Sequence, residues 1–314
     1  MRYGWAPIAL LSTACYQPAA RPGAPCGPDD SCPSGLVCQA GLCVEPGGVL
    51  ADAPPATDAP ADAPVAPDVD APPDAAPLGP WGTPTEIELT VGGETDPSMS
   101  QDLRVMAFMS EDDDDLYLGV RATPSGKMTT MPLDALNSTS NEKSPELSPD
   151  GRTLYFASNR GGDFDVYMST FDNTTWSSPV LVPELSTVDD DSDLAISPDG
   201  LTAIVIVNGS TNVFAFHTRA STSDPWGPRV DHLELSVGTD PSAPSLTNGG
   251  EVVYLHRGST RDIYVAYKQD DGTYTAPVPV DELNTSSRDA APFVLPDNRH
   301  IVFERSADIY EASR

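Results

Sequence analysis

Basic residues are scarce in this chain: 17 Lys and Arg stand against 47 Asp and Glu, a formal charge of −30. Nine of those acids and two of the bases precede residue 81, which leaves 38 acids against 15 bases beyond it. The deficit argues against nucleic acid or an anionic lipid surface as a partner of the folded part and favours cations or basic proteins. Aromatic residues are absent from Glu45 to Pro80, a stretch made almost entirely of Ala, Asp, Pro, Val and Gly. Without them it cannot build a core. Its prolines favour polyproline II and its aspartates repel, which predicts a disordered, semi-rigid spacer of about 3 Å per residue, on the order of 100 Å in all. No Gly-rich loop follows a strand and opens a helix, so nucleotide chemistry has no support. The four histidines, His217, His232, His256 and His300, fall in no serine- or cysteine-hydrolase motif.

The N-terminus does carry a signal. Arg2 supplies a positive start, Gly4 to Leu11 is apolar, and Ser12-Thr13-Ala14 leads into Cys15. The run is too short to span a bilayer as a mature helix. It resembles a bacterial lipoprotein signal, in which the cysteine is lipidated and becomes the new N-terminus; an ordinary cleaved signal is the alternative. By the same resemblance Tyr16, standing where an aspartate retains many lipoproteins in the inner membrane, points to the outer membrane. Five cysteines leave one unpaired in an oxidising compartment, and lipidation of Cys15 removes the odd one. Cys26, Cys32, Cys38 and Cys43 follow C-x5-C-x5-C-x4-C in a Gly- and Pro-rich stretch too small to fold without covalent closure, so two disulfides of undetermined pairing are expected. Zinc is the competing reading, but its knuckles favour shorter gaps and histidine. The expected division is 1–14 signal, 15–44 lipidated Cys-rich segment, 45–80 linker and 81–314 a single folded domain.

That domain repeats itself. Around Ser144-Pro145-Glu146-Leu147-Ser148-Pro149-Asp150-Gly151, the equivalents of Pro145 are Pro97, Leu194, Pro244 and Pro292, spaced 48, 49, 50 and 48. A second series recurs in the same register: Asp115-Leu116-Tyr117, Asp165-Val166-Tyr167, Asn212-Val213-Phe214, Asp262-Ile263-Tyr264 and Asp308-Ile309-Tyr310. Each unit reads as four short strands with no helical periodicity, and a period near 49 predicts the blades of an all-β propeller. Fourth-strand openings fall at Trp81, Met128, Trp176, Trp226 and Tyr274. The first precedes the first complete blade and the next would be due near residue 322, so the segment from Trp81 is expected to supply the outer strand of the last blade. That clasp makes a five-bladed propeller and covers otherwise open strand edges.

The Ser-Pro-Asp-Gly turns with Leu154-Tyr155-Phe156-Ala157-Ser158-Asn159-Arg160 and Asp165-Val166-Tyr167 resemble the WD-like repeats of the TolB propeller family. The resemblance spans 81–314, sharpest in the second blade, and carries over the repeat architecture alone. It implies a channel mouth and loop face presented to a protein partner or a glycan.

A catalytic group is needed once, whereas a blade-forming group is needed in every copy. Asp115, Asp165, Asp262 and Asp308 are therefore expected to bind backbone N–H groups where each third strand begins, and the Trp series to pack between blades. Glu94, Glu142, Asp191, Asp240 and Asp289 stand just before each innermost strand and could form a carboxylate ring at one channel mouth, for a basic partner or calcium; in the alternative each caps its own strand entry. The runs Glu111 to Asp115 and Asp189 to Asp191 read as solvated loop acids. A carbohydrate-binding or glycoside-hydrolase propeller is the alternative; hydrolysis needs two carboxyl groups in unlike environments, and no inner strand is seen to break the pattern with an extra acid and aromatic pair. The sequence thus predicts a monomeric, lipid-anchored envelope protein without catalytic residues, whose partner is an envelope protein or a glycan.

Overall fold

The computed structural model describes residues 78–208 and 212–314, together with the backbone of 37–39 and 42–44. The signal, Cys15, Cys26, Cys32 and nearly all of the 45–80 linker lie outside the described residues. The chain divides into two compact units, Met1–Ala71 and Pro72–Arg314. In the first, strands β1 (Val37–Gln39) and β2 (Leu42–Val44) form an antiparallel hairpin that sets Cys38 directly opposite Cys43.

The second unit holds five four-stranded antiparallel sheets. Blade one is β4 (Glu94–Met99), β5 (Val105–Ser110), β6 (Asp115–Val120) and β7 (Thr129–Pro132). Blade two is β8 (Glu142–Leu147), β9 (Thr153–Ser158), β10 (Asp165–Thr170) and β11 (Val180–Leu181). Blade three is β12 (Asp190–Ile196), β13 (Thr202–Asn208), β14 (Val213–Thr218) and β15 (Val230–Asp231), and blade four is β16 (Ser242–Leu246), β17 (Val252–Arg257), β18 (Asp262–Tyr267) and β19 (Val278–Pro279). Blade five is β20 (Asp289–Val294), β21 (His300–Arg305) and β22 (Asp308–Ser313), closed by β3 (Thr85–Glu86) from the start of the domain. The expected clasp is present, with Thr85 paired to Glu311 and Glu86 to Tyr310.

The turns explain why these residues form hairpins. In blade two Ser148 Oγ accepts from Thr153 N–H at 2.8 Å and donates to Asp150 Oδ1 at 2.6 Å, which in turn accepts from Arg152 N–H. Gly151 takes φ = +69°, a conformation costly for any residue with a Cβ. Blade three repeats the arrangement with Ser197, Asp199 and Gly200. Blade one lacks the Pro-Asp-Gly sequence, yet Ser100 and Asp102 make the same bonds. The Ser and Asp side chains therefore carry the turn.

The core is not central but divided among the five seams between blades. Phe156, Leu154 and Ala107 fill the first seam, Ala203 and Tyr155 the second, Phe214, Ile204 and Leu255 the third, Tyr254 and Phe303 the fourth, and Met99, Phe108 and Val302 the fifth. Each fourth-strand opening plugs one seam: Trp81, Met128, Trp226 and Tyr274 are buried, and Trp176 is half-buried. Burying aromatics of this size dominates the stability of such a seam.

The third-strand aspartates differ from expectation. The N–H groups of Leu116, Val166 and Ile263, which follow Asp115, Asp165 and Asp262, are capped by Asn137 Oδ1, Ser186 Oγ and Asn284 Oδ1, which reach in from the loop ahead of the next blade. A carboxylate on the residue before the N–H is less well placed than an acceptor arriving along the strand direction.

Candidate functional site: the axial channel

Every innermost strand carries a β-bulge at the same place, between residues 95 and 98, 143 and 146, 192 and 195, 242 and 245, and 290 and 293. At each bulge the residue before the Pro or Leu is left-handed: Asp96, Ser144, Asp193, Ala243 and Ala291 have φ between +44° and +50°. Such residues are strained by on the order of 1 kcal/mol each. The bulge re-aims the side chain, and all five border a narrow waist of about 30 Å³ on the propeller axis. A polar mouth of about 330 Å³ opens on the strand-entry side, and a funnel of about 600 Å³ opens on the side of the blade-two and blade-three turns.

The expected carboxylate ring is not what lines this channel. Glu94, Glu142, Asp191 and Asp289 are buried at their strand entries and turned into their own blades. Glu142 accepts from Ser138 N–H and Oγ, Ser158 Oγ and Arg160 Nη2. Asp289 accepts from Thr285 N–H and Oγ1 and from Arg305 Nε. Asp191 accepts from Thr187 N–H, but Val207 lies opposite it and its Oδ1 has no partner among the described residues. The Glu94 backbone N–H donates to the Ala307 carbonyl at 3.1 Å, and its carboxyl has no hydrogen bond among the described residues. Glu142, Asp191 and Asp289 are strand caps because short hydroxyl and backbone donors surround their strand entries, which suits a buried carboxylate better than facing four like charges. Asp240 is one residue out of register: Pro241 holds the equivalent position, and Asp240 is exposed beside Asn212 at the mouth. A basic partner or calcium was one reading of the five together, with strand capping the alternative; the donors that Glu142, Asp191 and Asp289 face belong to their own strand entries. Among the described residues no group of three or more His, Cys, Asp or Glu is gathered as a metal site.

The acids that reach the axis are others: Asp96, Asp193 and Glu146. Asp96 and Asp193 border both the mouth and the waist. Ser144 Oγ lies 3.4 Å from Asp96 Oδ2 and 3.0 Å from Asp193 Oδ1, and Ser242 Oγ donates to Asp193 Oδ2, so one polar belt joins four blades. Burial, helped by the charges of Asp193 and Glu304, pushes the Asp96 carboxyl up to about 7. Around the mouth stand Lys143, Arg261 and Arg288; Arg288 Nη1 bonds Glu111, and its Nε lies 2.8 Å from Glu304 Oε1 as an ion pair whose N–H is not aligned for a hydrogen bond. His256 Nδ1 accepts from Ala291 N–H at 3.3 Å, which places the ring proton on Nε2, and burial pushes this histidine down to about 4.

Glu146 borders both waist and funnel. It belongs to a series invisible without the bulge register. Ser98 Oγ accepts from Leu147 N–H, Glu146 Oε1 from Ile196 N–H and Ser245 Oγ from Val294 N–H, each a bond of 2.9 to 3.1 Å from one blade to the next. The fourth and fifth members are Ala195 and Phe293, where the seam is apolar. Glu146 is therefore the single acid in a position otherwise held by hydroxyl or apolar groups, and Tyr155 lies opposite it in the sheet. Blade two does break its pattern with an acid and an aromatic. Burial pushes its carboxyl well above the usual range, with only the Ile196 N–H opposing.

These groups set a pH response. Asp96 and Glu146 hold protons in the folded state that the unfolded chain releases near pH 4, so their stabilisation is complete at low pH and is lost as pH rises through their folded values. The neutral histidines His256 and His217 act in the opposite sense, until the unfolded imidazoles have lost their protons above about pH 7. Between pH 6.5 and 8 the Asp96 share of this loss is on the order of 1 kcal/mol, or a few degrees of melting temperature. Asp96→Asn should remove that share, so that its melting temperature falls less, or rises more, than the parent's across the interval; an unchanged slope in the variant would contradict the assignment.

No protein-family model matches the chain, and no curated protein matches it. Among solved structures, TolB from Acinetobacter baumannii is similar at 17% identity and a TM-score of 0.42, over 71% of this chain and 55% of that one. A gluconolactonase from Xanthomonas campestris is similar at 11% identity and a TM-score of 0.46, over 76% of this chain and 98% of that one. The chain thus spans little more than half the length of that TolB. The five-bladed propeller itself stands on the strand order and pairing described above. Among the described residues no helix is long and apolar enough to cross a membrane.

Proposed function

We propose that the propeller is a non-catalytic binding module of a bacterial envelope protein, held to the membrane through a lipid on Cys15 and taking a segment of a protein partner into the funnel. The observation that carries this reading is the funnel itself. Met99, Leu147, Ile196 and Phe293 form an apolar floor, Tyr155 and Met168 widen it over blade two, and Asp150, Asp199 and Arg219 mark its rim. A concavity of this size with an apolar floor and polar rim suits a few side chains of a partner. Asp150 and Asp199 are bonded within their own turns, which leaves Glu146 as the one carboxyl at the floor, whereas glycoside hydrolysis needs two in unlike environments. The reading invokes no cofactor.

The test is photo-crosslinking in the native cell from the rim positions Thr222 and Thr170. One recurrent envelope protein joined at both positions, and not at an outer-strand control such as Val278, is the expected result. A glycan product, or hydrolysis of a glycan panel by the purified full chain, would replace this reading with a carbohydrate-active one. The lipid claim predicts that Cys15→Ser releases the protein from the membrane fraction.

A further inference from the structure

Glu146 does more than its position requires. The bond between blades that it makes to Ile196 N–H is made equally well by serine at two equivalent positions, Ser98 and Ser245. One oxygen of Glu146 suffices for that bond. The other, Oε2, has no hydrogen-bond partner among the described residues, and the side chain, 93% buried by its 7% exposure, borders the cavity at the funnel floor. A buried carboxyl is far costlier than a buried hydroxyl unless something pairs with it, and no cation of the described residues bonds it. In the free protein burial therefore favours the neutral carboxyl, and a cation entering the funnel is what would let it ionise.

The surroundings state the shape of that group. Between rim and carboxyl a ligand passes Met99, Leu147 and Ile196, so it needs an apolar stem with a cationic tip. The folded part carries 38 acids to 15 bases, which draws basic segments toward it. We propose that the funnel receives a lysine side chain of the protein partner, its four-carbon stem on the apolar floor and its ammonium on the Glu146 carboxylate. This rests on the reading of the funnel as the partner site. Lysine meets both demands with one compact donor head on a flexible alkyl stem, whereas the planar guanidinium of arginine asks for a second acceptor beside the first. Because burial raises the Glu146 carboxyl in the free protein, pairing with an ammonium favours release of its proton, and binding tightens as pH rises toward that raised value.

The experiment uses the purified full chain and calorimetry or ligand-observed NMR with Nα-acetyl-lysine N-methylamide, its norleucine counterpart and putrescine. The lysine probe is expected to bind at least tenfold more tightly than the norleucine probe, with affinity rising with pH. Glu146→Ser, which keeps the bond between blades as Ser98 and Ser245 do, should erase the preference while leaving the melting temperature within a few degrees of the parent. Equal binding of the two probes, or a preference that survives Glu146→Ser, overturns the proposal. Putrescine bound more tightly than the lysine probe would assign the funnel to a free diamine and overturn it too. Failure here with rim crosslinking to a protein intact removes the lysine and leaves the partner site standing; a lysine preference with no protein crosslinked removes the partner site.

Discussion

Trp81→Ala is expected to lower the melting temperature by on the order of 10 °C. Trp81 is 5% exposed, meets Tyr254 edge to face at a centroid distance of 6.3 Å, and lies under the Arg314 guanidinium at 4.2 Å. Its neighbours Gly82 and Ile87 donate N–H bonds of 2.8 Å to Ser313 and Ile309 on β22. Removing a buried indole leaves a cavity worth about 3–5 kcal/mol, and for a domain of this size each kcal/mol shifts the midpoint by about 2–4 °C. The effect should exceed that of an ordinary core cavity, because Trp81 holds the strand that closes the ring and its loss exposes the edge of β22. Thermal unfolding of the variant beside Val188→Ala, whose site is 90% exposed, is the measurement. A shift of less than about 2 °C would mean that the clasp contributes little to closure.

Arg305→Ala is expected to destabilise by a further class of mechanism, about 3–5 kcal/mol from a buried carboxylate left without its cation. Arg305 Nε lies 2.5 Å from Asp289 Oδ1, Nη2 bonds the Leu283 carbonyl at 2.7 Å, and the guanidinium stacks near Phe303 and Tyr310. Asp289 is fully buried. The double variant Arg305→Met with Asp289→Leu should recover most of the loss, since replacing both partners by apolar groups removes the stranded charge. Chemical denaturation of the single and double variants measures this. If Arg305→Ala costs no more than a surface substitution, Asp289 is not a strand cap of the kind described here.

The two variants bear on different kinds of legibility. Trp81 was readable as a clasp because it repeats with Met128, Trp176, Trp226 and Tyr274, and repetition along a chain reports a role repeated in space. Asp289 was readable only as a member of a series. Whether that series faced the axis or its own blade depended on Arg305 and Thr285, which the sequence places nearby but cannot orient. Asp240 shows how fine the distinction is: one residue of slip moved it from a capped strand entry to the exposed mouth, since strand side chains alternate faces with a period of two.

Glu146 was hidden for a related reason. It stands beside Pro145 in the clearest repeat of the chain, and its peers Ser98, Ala195, Ser245 and Phe293 mix hydroxyl and apolar side chains, so a comparison of repeats shows no common type from which an acid departs. Only the bulge makes them equivalent, by turning each toward the seam with the next blade. Asp96 and Asp193 were hidden likewise, because a non-glycine residue in a left-handed conformation is imposed by the closing ring of strands and announced by no residue type.

The sequence by itself determined the number of blades, the strand order within each, the turns and the closing strand, because all of these follow from local patterns copied five times at a spacing near 49. The tertiary structure alone decided which acids meet at the axis, which are sealed in strand caps, and that one carboxyl is left open to a funnel. Those outcomes depend on where five inner strands converge, and convergence brings together residues about 50 positions apart whose mutual distance no local pattern encodes.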